Sequence, residues 1–166
     1  MGDRDAALYL LPGGGSSLLN EATSSGSFSV VPTPYERVER SDILRKILLV
    51  EDDISLARLE AGILAAHGYA VSIAASGEMA ISAIHQGIPD LVLLDLELSG
   101  GMSGWDVFRV LRSLSRTPVL LTSAESAVRR HMRTQGESRS TLDHLPKPYP
   151  MQVLLRRIER MLAMEP

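Results

Sequence analysis

Four groups of side chains able to carry chemistry stand directly after, or close, short apolar runs. Glu51-Asp52-Asp53 follows Ile47-Leu48-Leu49-Val50, and Asp95 closes Leu91-Val92-Leu93-Leu94. Thr122 and Ser123 end the run from Pro118 to Leu121, and Lys147 sits in Leu145-Pro146-Lys147-Pro148-Tyr149. Carboxylates crowded together repel unless a cation or a proton comes between them. An oxygen-lined site with few carboxylates suits Mg2+, which keeps some of its waters and is often completed by phosphate oxygens. An Asp carboxylate can also act as a nucleophile and form an aspartyl phosphate. Phosphoryl transfer asks chiefly for positioning and charge neutralisation. A metal and the Lys147 ammonium would supply positive charge, and a hydroxyl can hydrogen-bond a phosphoryl oxygen. Each group also has a plainer reading. Asp95 could open a turn, Asp52 and Asp53 could cap a helix, the hydroxyls could be ordinary strand ends, and Lys147 a surface lysine.

The elements that must position these groups can be read from periodicity. Uninterrupted apolar runs such as Leu91–Leu94, rich in branched residues, read as strands buried on both faces of a parallel sheet. Ile47–Val50, Ala70–Ala74, Leu91–Leu94, Pro118–Thr122 and Leu142–Leu145 are the five expected strands. Between them, Leu56, Leu59, Ile63 and Ala66 recur at helical spacing up to Gly68, a natural stop. Ser76 is placed to cap a helix carrying Met79, Ile81 and Ile84, ended by Gly87 and Pro89. Trp105 to Leu114 reads as a helix with Val107, Val110, Leu111 and Leu114 inward, and Glu125 to about Arg133 as a polar one. Tyr149 to Met164 carries Leu154, Ile158 and Leu162 at i, i+4 and i+8. Strands alternating with helices predict an α/β fold, a doubly wound parallel sheet joined by right-handed crossovers. Ligands in such sheets bind beyond the carboxyl ends of the strands, and all four groups fall there.

The 166 residues suffice for one ordinary domain and a tail. Residues 1–44 read as a disordered low-complexity tail, because 15 of the 23 residues from Pro12 to Pro34 are Gly, Ser, Thr or Pro. Such a segment buries too little apolar area to offset the entropy of ordering it. Without cysteine, the chain can form no disulfide framework, thiolate metal site or thiol nucleophile. No apolar run approaches the ~20 residues of a membrane span, and the short patch Ala6–Leu11 lacks the make-up of an export signal. A cytoplasmic protein with no membrane association is expected. The net charge of −3 is unevenly placed: Lys46–Gly100 holds 8 acidic and 2 basic residues, Gly101–Pro166 holds 6 acidic and 11 basic. The acidic overall balance and the lack of a basic stripe interleaved with aromatics argue against nucleic-acid binding.

Lys46-Ile-Leu-Leu-Val-Glu-Asp-Asp53, Leu91-Val-Leu-Leu-Asp-Leu96, Pro118-Val-Leu-Leu-Thr-Ser-Ala124 and Leu145-Pro-Lys-Pro-Tyr149 together resemble the receiver domain of bacterial two-component response regulators, of the CheY-like kind. Each motif is modest alone; the four in this order and spacing are specific. The resemblance covers about residues 45–164 and implies a flavodoxin-like (βα)5 sheet of strand order 2-1-3-4-5 in a receiver domain spanning 45–166. It implies that Asp95 is the phosphoacceptor and that Glu51 and Asp52 are the acidic pair binding Mg2+. The backbone carbonyl of Glu97 would be a further ligand, Ser123 the hydroxyl switch, and Lys147 the lysine that pairs with acceptor or phosphoryl oxygens. The Lys147–Pro148 bond resembles one that is cis in the family, which X-Pro bonds permit at low cost.

Departures from the family pattern concern regulation. The loop after Asp95, Leu98-Ser-Gly-Gly-Met-Ser-Gly104, lacks the usual Pro and is one residue longer, which predicts a looser metal-side loop. The aromatic switch position is His144, a smaller and titratable ring. Glu97 and Glu125 occupy positions that in the family influence how water reaches the aspartyl phosphate. The expected function is phosphorelay signalling. A sensor histidine kinase or phosphotransfer protein would donate the phosphoryl group to Asp95, and the face of the fourth helix, fifth strand and fifth helix would change its preference for a downstream protein. Arg129, Arg130, Arg133, Arg156, Arg157 and Arg160 would make that side positive. No output segment or helix-turn-helix follows Met164, so a stand-alone receiver without direct DNA binding is expected. A phosphorylation-independent interaction module is the alternative. An Asp-nucleophile phosphatase of the haloacid-dehalogenase type fits poorly, because position 97 is Glu and the acidic pair lies on another strand.

Overall fold

The computed structural model describes residues 44–125 and 128–164. The expected tail over 1–44 therefore lies, apart from Leu44, outside the described residues, as does part of the segment expected to open the fourth helix. Five strands alternate with five helices: β1 (Lys46–Val50), α1 (Ile54–Ala66), β2 (Ala70–Ala74), α2 (Gly77–Gln86), β3 (Leu91–Asp95), α3 (Gly104–Leu114), β4 (Val119–Ser123), α4 (Val128–Thr134), β5 (Leu142–Pro146) and α5 (Met151–Ala163). The sheet is parallel throughout, in the order β2-β1-β3-β4-β5. That is the doubly wound, flavodoxin-like arrangement expected from the alternation and the motifs.

Side chains on a strand alternate between faces, and here both faces are covered. Leu48, Val50, Val92, Leu94 and Leu121 point to one side, where Ala80 and Ile84 of α2 and Val107, Phe108 and Leu111 of α3 close over them. Ile47, Leu49, Leu91, Leu93 and Leu120 point to the other, against Ala57 and Leu64 of α1 and Leu154, Ile158 and Met161 of α5. The central strands β3 and β4 are buried along their whole length, which is why their sequences are apolar without alternation.

The helices differ from the expected faces. Leu114, read as inward, and Leu59 and Met79, read as part of the apolar spacing of their helices, are about half exposed. The buried stripes are Ala57-Glu60-Leu64, Gly77-Ala80-Ile84, Val107-Phe108-Leu111 and Leu154-Ile158-Met161. A helix lying on a sheet buries one narrow stripe at i, i+3 or i+4, and i+7. Small residues let the backbone come close, and larger apolar residues to either side reach the rim. A Cβ on Gly77 would lie 2.6 Å from Met102 Cβ. Caps set the helix starts: the Asp53 carboxylate accepts from the Ser55 and Leu56 N–H groups, the Ser76 hydroxyl from Met79 N–H, and Ser103 and Asp106 form a reciprocal capping box. Among the described residues no helix is long and apolar enough to cross a membrane.

Candidate functional site

Strand register brings the chemical groups to one edge. Val50 pairs with Leu94, Asp95 with Thr122, and Ser123 with Pro146, so β1, β3, β4 and β5 end side by side. Two main-chain bonds carry the ladder past the ends: Leu96 N–H donates to the Thr122 carbonyl at 3.0 Å and Lys147 N–H to the Ser123 carbonyl at 2.9 Å. The strand ends hold their side chains rigidly because the residues before them are wholly buried.

Asp95 lies at the centre and is buried. One oxygen, Oδ2, accepts from Lys147 Nζ at 2.9 Å; the other, Oδ1, accepts from Glu97 N–H at 2.9 Å. The same Lys147 ammonium donates to Glu51 Oε2 at 3.1 Å, while Asp53 N–H donates to Glu51 Oε1. Glu51, Asp52 and Asp95 each offer a carboxylate oxygen within 4.8 Å of the others. Lys147 thus bridges two buried carboxylates, and the third stands at the rim. Burial pushes the Glu51 carboxyl above the usual carboxylate value, against the pull of the Asp53 N–H and Lys147. Burial also works against the Lys147 charge, but its bonds to Asp95 and Glu51 outweigh this and hold it above the usual lysine value. A cluster of three carboxylates answered by one ammonium retains excess negative charge. Its donor set, hard oxygens at the rim of an open edge, fits a divalent cation such as Mg2+.

The loop after Asp95 is not loose as its length suggested. The Ser99 N–H and hydroxyl both donate to Asp52 Oδ2, at 2.8 and 2.5 Å, and these bonds hold Asp52 below its usual value. The additional residue lets the chain double back, with Gly100 at φ 124°, a region that favours glycine. The loop then returns close under the site: a Cβ on Gly104 would lie 2.3 Å from the Asp95 carbonyl oxygen. Ser123 is fully buried, and its hydroxyl accepts from Glu125 N–H at 2.8 Å. Glu97 is exposed, and its carboxylate accepts from Ala124 N–H at 3.3 Å. The Lys147–Pro148 bond is cis. His144 is buried, and neither ring nitrogen makes a hydrogen bond of ordinary geometry, although the Ser123 carbonyl lies near the ring.

Two buried acidic groups escaped the sequence reading: Asp143 on β5, which pairs with Arg157 and Arg160, and Glu60. Glu60 on α1 is 1% exposed and accepts from the Tyr149 hydroxyl at 2.6 Å. Burial pushes the Glu60 carboxyl up, and burial and the Glu60 bond push the Tyr149 hydroxyl up. Its position between Ala57 and Leu64, at i+3 and i+7 of the same stripe, was the available signal.

A family model described as the response regulator receiver domain matches residues 47–159. The DNA-binding response regulator MtrA of Mycolicibacterium paratuberculosis is 35% identical over 118 residues, covering 71% of this chain and 51% of that protein. The chain thus spans about half the length of the curated relatives it matches. Among solved structures, the N-terminal domain of a response regulator/sensory box/GGDEF 3-domain protein from Carboxydothermus hydrogenoformans superposes with TM-score 0.62 at 34% identity, covering 72% of this chain and 94% of that one. The Vibrio cholerae chemotaxis protein CheY4 shares the fold, with TM-score 0.62 at 24% identity over 71% of this chain and 98% of the other.

Proposed function

The chain belongs to the response regulator receiver family, and on that premise we propose that it accepts a phosphoryl group on Asp95 from a sensor histidine kinase or phosphotransfer protein and signals by changing its protein contacts. Receiver domains are signalling modules of phosphorelays, and Mg2+ and phosphoaspartate are typical of the family. The observation that carries the assignment is the Lys147 ammonium bridging Asp95 and Glu51 with Asp52 beside them. Asp95 is held at both oxygens, so its carboxylate is oriented before a donor arrives.

In the proposed reaction an Asp95 oxygen attacks the donor phosphorus, the bond to the donor nitrogen breaks, and the donor imidazole leaves. Mg2+ would be held by Glu51, Asp52, Asp95 and the Glu97 carbonyl and would neutralise charge on the transferring phosphoryl oxygens. Lys147 keeps its proton throughout and passes from pairing two carboxylates to pairing the phosphoryl oxygens. The Ser123 hydroxyl exchanges its Glu125 N–H partner for the phosphoryl group, which pulls the β4–α4 loop toward Asp95. His144, next to β4 on β5, would read that movement. The readout is a population shift of the surface made by α4, β5 and α5, directed at a downstream protein in the cytoplasm. Within that surface Arg157 and Arg160 both pair with Asp143, leaving the α4 arginines, Arg139 and Arg156 without a carboxylate partner among the described residues.

A phosphorylation-independent interaction module is favoured by one observation: Ser99 already occupies one of the two Asp52 carboxylate oxygens with two hydrogen bonds. Intact mass after incubation with acetyl phosphate and Mg2+ separates the two. The proposal predicts one added phosphoryl group that requires Mg2+ and is lost in Asp95→Asn. A folded protein that takes no adduct and fails to bind beryllofluoride supports the module instead.

A further inference from the structure

Between α4 and the β5–α5 edge lies an open cleft of about 330 Å3. Arg129 and Arg133 of α4, Arg139 of the following loop and Arg157 of α5 line it, and His144 forms part of its floor. Both carboxylates in its wall are already engaged: Glu137 by Arg112 at 2.5 Å, and Asp143 by Arg157 and Arg160. Arg129, Arg133 and Arg139 are exposed and meet no carboxylate among the described residues. The cleft is therefore a concave surface with cationic forks and no anion to answer them. Its floor adds a second, independent feature. His144 is 3% exposed, and neither ring nitrogen makes a hydrogen bond of ordinary geometry, with only the Ser123 carbonyl near the ring, whereas buried polar atoms are almost always well hydrogen-bonded. A turn of the ring about its side-chain bonds would carry an N–H into the cleft, where an acceptor would satisfy it.

We propose that this cleft is a binding site for a small phosphorylated molecule, with Arg129, Arg133 and Arg139 gripping the phosphate oxygens and His144 donating from below. Guanidinium forks match phosphate bidentately. The volume lies at the small end of ligand sites, roughly 300–1,000 Å3, which favours a compact organic phosphate or pyrophosphate over a macromolecular strand. The inference does not depend on phosphorylation of Asp95, because the cleft lies on the far side of β4 from the acidic pocket and needs no metal.

The test is isothermal titration of inorganic pyrophosphate into the full chain, without Mg2+ and at ionic strength held constant with NaCl. The expected result is one saturable site, weakened at least ten-fold in Arg129→Gln/Arg133→Gln and at least three-fold in Arg139→Gln. The His144 imidazole 15N signals are expected to move on binding. Absence of saturation overturns the proposal, as does affinity unchanged in the arginine variants or a saturable site that leaves the His144 signals still. Binding of a polyglutamate peptide with no binding of pyrophosphate also overturns it and assigns the face to an acidic protein.

Discussion

Ser99 and Asp52 set how readily the acidic pocket takes a cation. Two hydrogen bonds on a single Asp52 oxygen stabilise its charge, but they also compete for the lone pairs that a metal would use. Ser99→Ala removes the hydroxyl bond and should tighten Mg2+ binding several-fold, read by calorimetric titration; weaker or equal binding would show that Ser99 orients Asp52 rather than masking it. His144 belongs to the same scale. Burial, with the Arg129 charge nearby, holds its imidazole below the ordinary value. The unfolded chain therefore takes up this proton first as pH falls. The associated stability is complete above the unfolded value of about 6.5 and declines as pH drops below it. In His144→Phe, thermal unfolding followed from pH 7.5 to 5.5 should lose less stability than the parent; parallel losses would refute the assignment. The identity of position 144 was legible in the sequence, but its lack of a hydrogen bond of ordinary geometry was not, because that depends on which groups β4 and α4 bring near it.

At the scale of elements, strands were easier to read than helix faces, for a physical reason. A strand buried on both sides needs only apolar residues, and Leu91–Leu94 satisfies that without reference to neighbours. A helix face depends on where the sheet lies, and Leu59, Met79 and Leu114 were apolar yet rim-facing. Glu60 shows the converse, a charged residue type on the buried stripe of α1, tied to Tyr149 at the start of α5's approach. Burial raises the Glu60 value, so the fold favours the neutral form more than the unfolded chain does. Its stability is present below the unfolded value of about 4.3 and is lost as pH rises. Glu60→Gln keeps an acceptor for the Tyr149 hydroxyl without that cost, so it should melt above the parent at pH 7 and alongside it near pH 4. Tyr149→Phe should lose on the order of 1 kcal/mol. A Glu60→Gln variant less stable than the parent at pH 7 would contradict this account. The start of α3 is equally constrained. Gly104→Ala places a methyl 2.3 Å from the Asp95 carbonyl oxygen and 2.7 Å from Leu96 Cα, both backbone atoms with nowhere to go. Overpacking of this kind costs roughly 1–3 kcal/mol, to be measured by urea denaturation; a neutral effect would mean that the loop yields.

The whole molecule is a sheet that gathers charge at one edge. The 8-to-2 acidic excess over Lys46–Gly100 is concentrated at the ends of β1 and β3, and the single lysine of the β5–α5 loop answers it. That convergence was legible from four motifs, since parallel strands with right-handed crossovers leave all carboxyl ends together. The Ser99 clasp, the Glu60–Tyr149 link and the arginine cleft were not, because each joins residues far apart in sequence through geometry that no local pattern encodes. The account turns on one atom group, the Asp95 carboxylate. Reduction of the phosphodonor-treated protein with borohydride converts an aspartyl phosphate to homoserine, and peptide mass mapping then locates it. The account predicts homoserine at position 95 alone, dependent on Mg2+ and absent in Asp95→Asn. Homoserine at another aspartate, or labelling that survives Asp95→Asn, would contradict it.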